Sequence, residues 1–153
     1  MASSRQAHPG RGHESELIIR AARTLRRSHV RALEPWDLSP HQARALRVIA
    51  GDRRGDATAP LRLSRLAEAL HIVPRSATEV ADALETKGLV ERYPDPGDRR
   101  AICLRLSAEG RRVADEVEAM RRQESDAFLS VLSSTERTTL GDLLGRLLEE
   151  RDG

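Results

Sequence analysis

Residues 63–110, LSRLAEALHIVPRSATEVADALETKGLVERYPDPGDRRAICLRLSAEG, decide how the chain folds. Pro74 suits the first position of a helix, where an N–H would go unpaired anyway, and Gly88 supplies the left-handed residue that stops one. Between them Ala77, Val80 and Leu84 recur on one stripe, so the spacing predicts a helix over about 74–87. Ser64 reads as the cap of a shorter helix over 65–70, with His71 and Ile72 as the turn. Leu66, Ala67 and Leu70 then pack against Ile72, Ala77, Val80 and Leu84, and the small Ala67 and Ala77 let the two helices approach closely. Two alternating stretches, 89–93 and 101–106, follow as strands joined by PDPGDRR, with Ile102, Leu104 and Leu106 on one face. Helix, turn, helix and β-ribbon make a winged helix-turn-helix.

Outward from this centre the chain reads as helix. Residues 1–13 are rich in Ser, Arg, His, Pro and Gly, show no apolar face and are expected to be a disordered arm. A stripe of Leu17, Ile18, Ala21, Ala22, Leu25 and Val30 predicts a helix from about Glu14 that ends before Pro35. Ser39 and Pro40 open a second helix to about Ala50, with Ala43, Leu46, Val48 and Ile49 inward. Residues 51–60 read as a loop and 61–63 as a short extended piece. Ser107 caps a long helix to about Leu132, and Ser133 with Glu136 forms a capping box for a last helix to about Glu150. The expected class is mainly α with a small β-wing: a winged helix-turn-helix domain (37–106) flanked by an N-terminal dimerisation helix (14–36) and C-terminal dimerisation helices (107–150).

The last helix carries Leu140, Leu143, Leu144, Leu147 and Leu148 on one stripe. Burying such side chains is worth roughly 1.5–3 kcal/mol each, so the stripe needs a partner surface. A second copy of the chain is the simplest one, and Leu17, Ile18, Leu140, Leu143, Leu144 and Leu147 are the expected two-fold contact. Gly141 and Gly145 would permit close packing there.

Composition excludes more than it identifies. The 153 residues are 39% apolar with Trp36, Tyr93 and Phe128 as the only aromatics, so the core must be aliphatic. The net charge is only +2, and the field of the whole molecule argues weakly for an anionic partner. Lys87 is the one lysine, leaving arginine, with its bidentate fork, to carry nearly all positive charge. Cys103 is alone, which excludes an internal disulfide and fits a reducing cytoplasm. It is read as inert, on the strand face opposite Ile102 and Leu104. No apolar segment in residues 1–12 resembles a secretory signal, and no run approaches the ~20 residues that cross a bilayer. His8, His13, His29, His41 and His71 lack ligand spacing, so no metal site is expected. No nucleophile elbow or Gly-rich phosphate loop is visible, hence no catalytic residue, no cofactor and no enzyme.

The second helix of the motif leaves Arg75, Ser76, Thr78, Glu79, Asp82 and Ala83 facing outward. Its N-terminal end, with Pro74, is the part that meets base edges in such motifs. Arg75 can take guanine O6 and N7, Thr78 a thymine methyl or a phosphate, and Glu79 the amino group of cytosine. Ser64 and Arg65 on the preceding helix complete the expected double-stranded DNA contact. At the wing, Asp98 and Arg100 are expected to form a stiffening salt bridge, with Arg99 and Arg100 reaching the minor groove. Arg26, His29, Trp36 and Arg47 are candidates to line a small-molecule effector pocket between dimer helices and DNA-binding lobe.

At these residues the chain resembles the MarR family of winged-helix transcription regulators. The resemblance is carried by Leu84-Glu85-Thr86-Lys87-Gly88-Leu89-Val90, the Asp98-Arg99-Arg100 wing and Leu106-Ser107-Ala108-Glu109-Gly110, with Leu38-Ser39-Pro40-His41-Gln42 and Leu46 upstream. It implies a homodimer joined through its terminal helices, a pseudo-palindromic operator, repression, and relief by a small molecule or oxidant. Glu79 and Ala83 stand where many members carry Arg or Lys, and Val73 where they carry a Ser or Thr cap, so base preference is not transferable. Ser107 replaces a commoner Thr, and the first helix has no sensing cysteine. The alternative is a winged-helix protein-interaction module whose Glu79/Asp82 face meets a basic partner.

Overall fold

The computed structural model describes residues 12–51 and 61–149; of the expected arm, residues 1–11, and of the expected loop, residues 52–60, lie outside the described residues. Helix α1 (His13–Arg31) starts one residue earlier than expected, behind a left-handed Gly12 (φ 104°). It does not run on to residue 36. Pro35 forces a separate 3-10 turn, Glu34–Trp36, closed by Asp37 in the left-handed region. Lys87 pins that turn, its Nζ donating to the Asp37 carbonyl at 2.8 Å and carboxylate at 2.7 Å.

Helix α2 (Pro40–Gly51) opens on a reciprocal cap: Gln42 N donates to Ser39 Oγ at 3.2 Å and Ser39 N to Gln42 Oε1 at 2.9 Å. Strand β1 (Leu61–Arg62) leads directly into α3 (Leu63–Leu70), and α4 (Pro74–Thr86) follows. Ser64 is therefore not the cap of α3. The extended residue before the helix is Arg62, because β1 delivers the chain in extended form up to that point, and Ser64 lies exposed in the first turn. His71 in the left-handed region ends α3, and Gly88 (φ +70°) ends the turn after α4. Strands β2 (Val90–Pro94) and β3 (Ile102–Leu106) make the wing, and the antiparallel sheet runs β1-β3-β2.

The core fills the space between α2, α3, α4, α5 and the sheet with Leu46, Leu66, Leu70, Leu84, Leu104, Val113 and Val117. Leu104 and Leu106 point inward, whereas Ile102, at the strand's open end, is 41% exposed. Helix α5 (Ala108–Phe128) stops four residues before the expected Leu132. Arg137 explains the stop: it donates to the Leu129 carbonyl at 3.1 Å and the Asp126 carbonyl at 3.2 Å, tying the chain into its turn. Ser133 and Glu136 then cap α6 (Ser134–Glu149) reciprocally. Among the described residues no helix is long and apolar enough to cross a membrane.

Ser107 joins two elements. Its Oγ accepts from Gly110 N at 2.9 Å, capping α5, and donates to the Gly88 carbonyl at 2.6 Å at the end of α4. Ser107→Ala removes both bonds, so a loss of about 1–2 kcal/mol in chemical unfolding is expected. A loss below about 0.5 kcal/mol would show that water replaces both partners.

Candidate nucleic-acid interface

The first turns of α4 present Pro74, Arg75, Ser76, Thr78 and Glu79. Arg75 is 90% exposed and donates from Nε to Glu79 at 3.3 Å, an i,i+4 pair that water screens and a ligand can open. Thr78 spends its hydroxyl proton on the Pro74 carbonyl at 3.1 Å. Ser76 borders a groove of about 320 Å³ shared with Ser39 and with His41 and Gln42 of α2. On α3, Ser64 and Arg65 are exposed.

Further along α4 the expected outward face is altered by a residue the sequence reading missed. Arg92 of β2 donates to Asp82 at 2.6 Å and to the Thr78 carbonyl at 3.3 Å, and lies 3.6 Å from Glu85. Strand alternation was the available signal, since it sets Glu91 and Arg92 on opposite faces. The pairing engages Asp82 and offsets part of the acidic charge on this half of α4, while Arg75 stays exposed on the other. On the other face of β2, Glu91 pairs with Arg105 at 2.7 Å, and Arg105 lies 5.4 Å from the Tyr93 ring centre.

The wing tip is stiffened differently from expectation. Among the described residues no side-chain salt bridge joins Asp98 to Arg100; Asp98 Oδ1 accepts from the Arg100 backbone N–H at 3.0 Å, the local bond that an Asp in a turn forms readily. Arg99 and Arg100 are exposed. The strong ion pair is Arg62 to Asp95 at 2.6 Å. The Arg62 guanidinium, then the Gly97 amide, hold the Asp95 carboxyl below the usual carboxylate range. The pair therefore adds stability that is complete above the unfolded carboxyl's range and is lost as pH falls through the lowered folded value. Cys103 is fully buried, and burial pushes its thiol up, away from the thiolate that reacts.

The four effector candidates are not gathered into one pocket. Trp36 donates to Glu116 at 2.9 Å and packs on the core. His29 meets Ser125 at 3.2 Å, with burial, then Arg121, holding it below its usual range. Arg47 lines a cleft of about 220 Å³ between α2 and α5 with Arg121, Glu118, Asp115 and Ala114, and Arg26 is exposed outside it. The tryptophan's bond to α5 and the arginine's place on α2 point them to different parts of the α5 surface. Among the described residues no group of His, Cys, Asp and Glu could hold a metal ion.

The expected dimer residues are unburied by the chain itself. Leu17, Ile18, Leu143 and Leu147 are 45%, 43%, 51% and 55% exposed, while Leu140 and Leu144 are half-buried. Neither the first three turns of α1 nor any part of α6 contains a buried residue.

Comparison with known proteins points to the same arrangement of helix-turn-helix and wing. The model of the MarR family matches residues 56–102. The chain is 40% identical over 88 residues to a putative transcriptional regulatory protein for the hcr operon of Thauera aromatica, covering 57% of this chain and 52% of that protein. It is 34% identical over 89 residues to the HTH-type transcriptional repressor MdtR of Bacillus subtilis (strain 168), covering 58% and 57%. Over its central segment the chain is thus similar to the MarR family.

The match spans little more than half the length of those two relatives. Similarity of fold extends further. A point mutant of S. aureus MepR superposes with a TM-score of 0.77 at 20% identity over 89% of this chain and 96% of that one. A different MepR mutant, bound to an oligodeoxyribonucleotide, gives 0.65 at 20% identity, over 90% and 96%. The shared fold thus reaches beyond the matched core to the terminal helices.

Proposed function

We propose that this protein is a transcriptional repressor of the MarR type, acting in the cytoplasm as a homodimer on a pseudo-palindromic operator. The observation that carries the reading is the division of charge on α4. Arg92 occupies Asp82 and approaches Glu85, while Arg75 stays 90% exposed at the helix N-terminus, which itself favours phosphate. Arg65, Arg99 and Arg100 add three exposed cations on α3 and the wing. The same division speaks against the protein-interaction module, because Asp82 is no longer free to meet a basic partner. The uncovered apolar stripes of α1 and α6 supply the dimer contact, which places two copies of α4 to enter successive major grooves.

The test is fluorescence anisotropy with a labelled duplex selected from a random-sequence pool by the wild-type protein. Arg75→Ala is expected to cost about 1–3 kcal/mol and to relax preference at one base position. Arg99→Ala with Arg100→Ala should weaken all duplexes alike and lower the salt slope by about one per lost phosphate contact. Unchanged affinity for both variants at physiological salt would remove the assigned DNA face.

A second reading concerns control. The cleft sets the guanidinium groups of Arg47 and Arg121 beside the carboxylates of Asp115 and Glu118 and the methyl of Ala114, which suits a small polar molecule that both donates and accepts hydrogen bonds. An effector bound there, between α2 and α5, would act by favouring a lobe spacing that no longer fits the operator.

A further inference from the structure

We infer that Asp95 is the positioning residue of the wing: from inside the protein it fixes how Arg99 and Arg100 are held out to DNA. The inference rests on the reading of the wing as a DNA contact. Asp95 is 5% exposed and is the one buried charged or polar residue among those described. A carboxylate so placed persists only when its oxygens are paired. Its two oxygens face different parts of the structure. Oδ1 accepts from the turn amides, Gly97 N at 2.7 Å and Asp98 N at 3.2 Å. Oδ2 accepts from Arg62 Nε at 2.6 Å and faces the Cys103 thiol at 3.6 Å.

One carboxylate therefore ties the wing turn across β3 to β1, at the opposite edge of the sheet, because the strand order is β1-β3-β2 and Arg62 is the register partner of Cys103. Arg62 is also the residue from which α3 departs. The turn that carries the two exposed arginines is in this way anchored to the start of the helix-turn-helix instead of hanging from its own ribbon. Asp98, its amide held by Asp95, in turn holds the Arg100 amide at 3.0 Å. The chain of bonds runs unbroken from α3 to the wing tip.

Charge makes the test sharp. Asp95→Asn leaves the protein one unit more positive, so simple electrostatics predicts tighter binding of DNA. The positioning role predicts about tenfold weaker binding to the selected duplex, the size of one lost contact. In the Arg99→Ala, Arg100→Ala background the same substitution should cost nothing further, because there is no longer an arginine to misplace. Affinity in Asp95→Asn equal to or above wild type overturns the inference, and so does an equal loss in both backgrounds, which would mark general damage to the fold. If the double arginine variant itself binds as tightly as wild type, the wing reading fails and this inference with it; if only that variant weakens binding, the wing reading survives alone. Arg62→Lys keeps the charge but gives up the planar fork. It runs the same cycle with a loss of about threefold should Asp95→Asn not fold.

Discussion

Gly110→Ala is expected to destabilise the protein by about 3 kcal/mol, near the upper end of what overpacking costs. A Cβ at Gly110 would stand 1.8 Å from the Leu89 carbonyl oxygen and 2.7 Å from its carbon. Nothing flexible lies in the way; the obstacle is main chain. That main chain is held in turn, since Leu89 O accepts from Ser107 N at 3.1 Å and Leu89 N donates to Leu84 O at 2.9 Å. Relief would require α5 to lift from the end of α4 and the root of the wing together. In a chain of this size the loss corresponds to a fall in Tm of roughly 10 °C. A variant melting within about 2 °C of wild type would show that α5 does not sit where it is described.

The second large effect concerns assembly. Leu143→Glu combined with Leu147→Glu should convert the protein to monomers in sedimentation at micromolar concentration. Full burial of a leucine is worth roughly 1.5–3 kcal/mol, about half of each side chain remains to be covered, and two-fold symmetry removes each twice, so at least ~3 kcal/mol is lost. That is a weakening of at least about a hundredfold in dimer affinity. Because α6 buries no residue within its own chain, the fold of the DNA-binding lobe should survive, with an unchanged far-UV spectrum per residue apart from fraying at the terminal helices. A double variant that remains dimeric would move the interface away from α6.

The contrast between these two sites shows where sequence was enough. Local signals were legible: Pro74 and Gly88 bracket α4, Ser39 caps α2, Ser133 with Glu136 caps α6, and Ser107 caps α5. Each acts over a few residues, where backbone geometry and side-chain reach are fixed by spacing alone. The α6 stripe was legible too, as a periodic surface with no mate. What escaped were pairings between distant segments. Arg62 and Asp95 are 33 residues apart, and Trp36 and Glu116 are 80 apart, so no spacing rule could match them. The expected Asp98–Arg100 bridge put a local partner where the fold supplies a remote one. Arg92 was passed over for the same reason, since its carboxylate partners lie on another element. The end of α5 depended on Arg137, which reaches back from α6.

The most direct test of the central claim, a symmetric pair of α4 helices and wings on one duplex, is hydroxyl-radical footprinting of the wild-type protein on its selected site. Two matching protected half-sites, centred about 10–10.5 base pairs apart and related by a two-fold axis, are the predicted result. A single protected patch without a symmetric mate, or protection that follows no sequence, would contradict it.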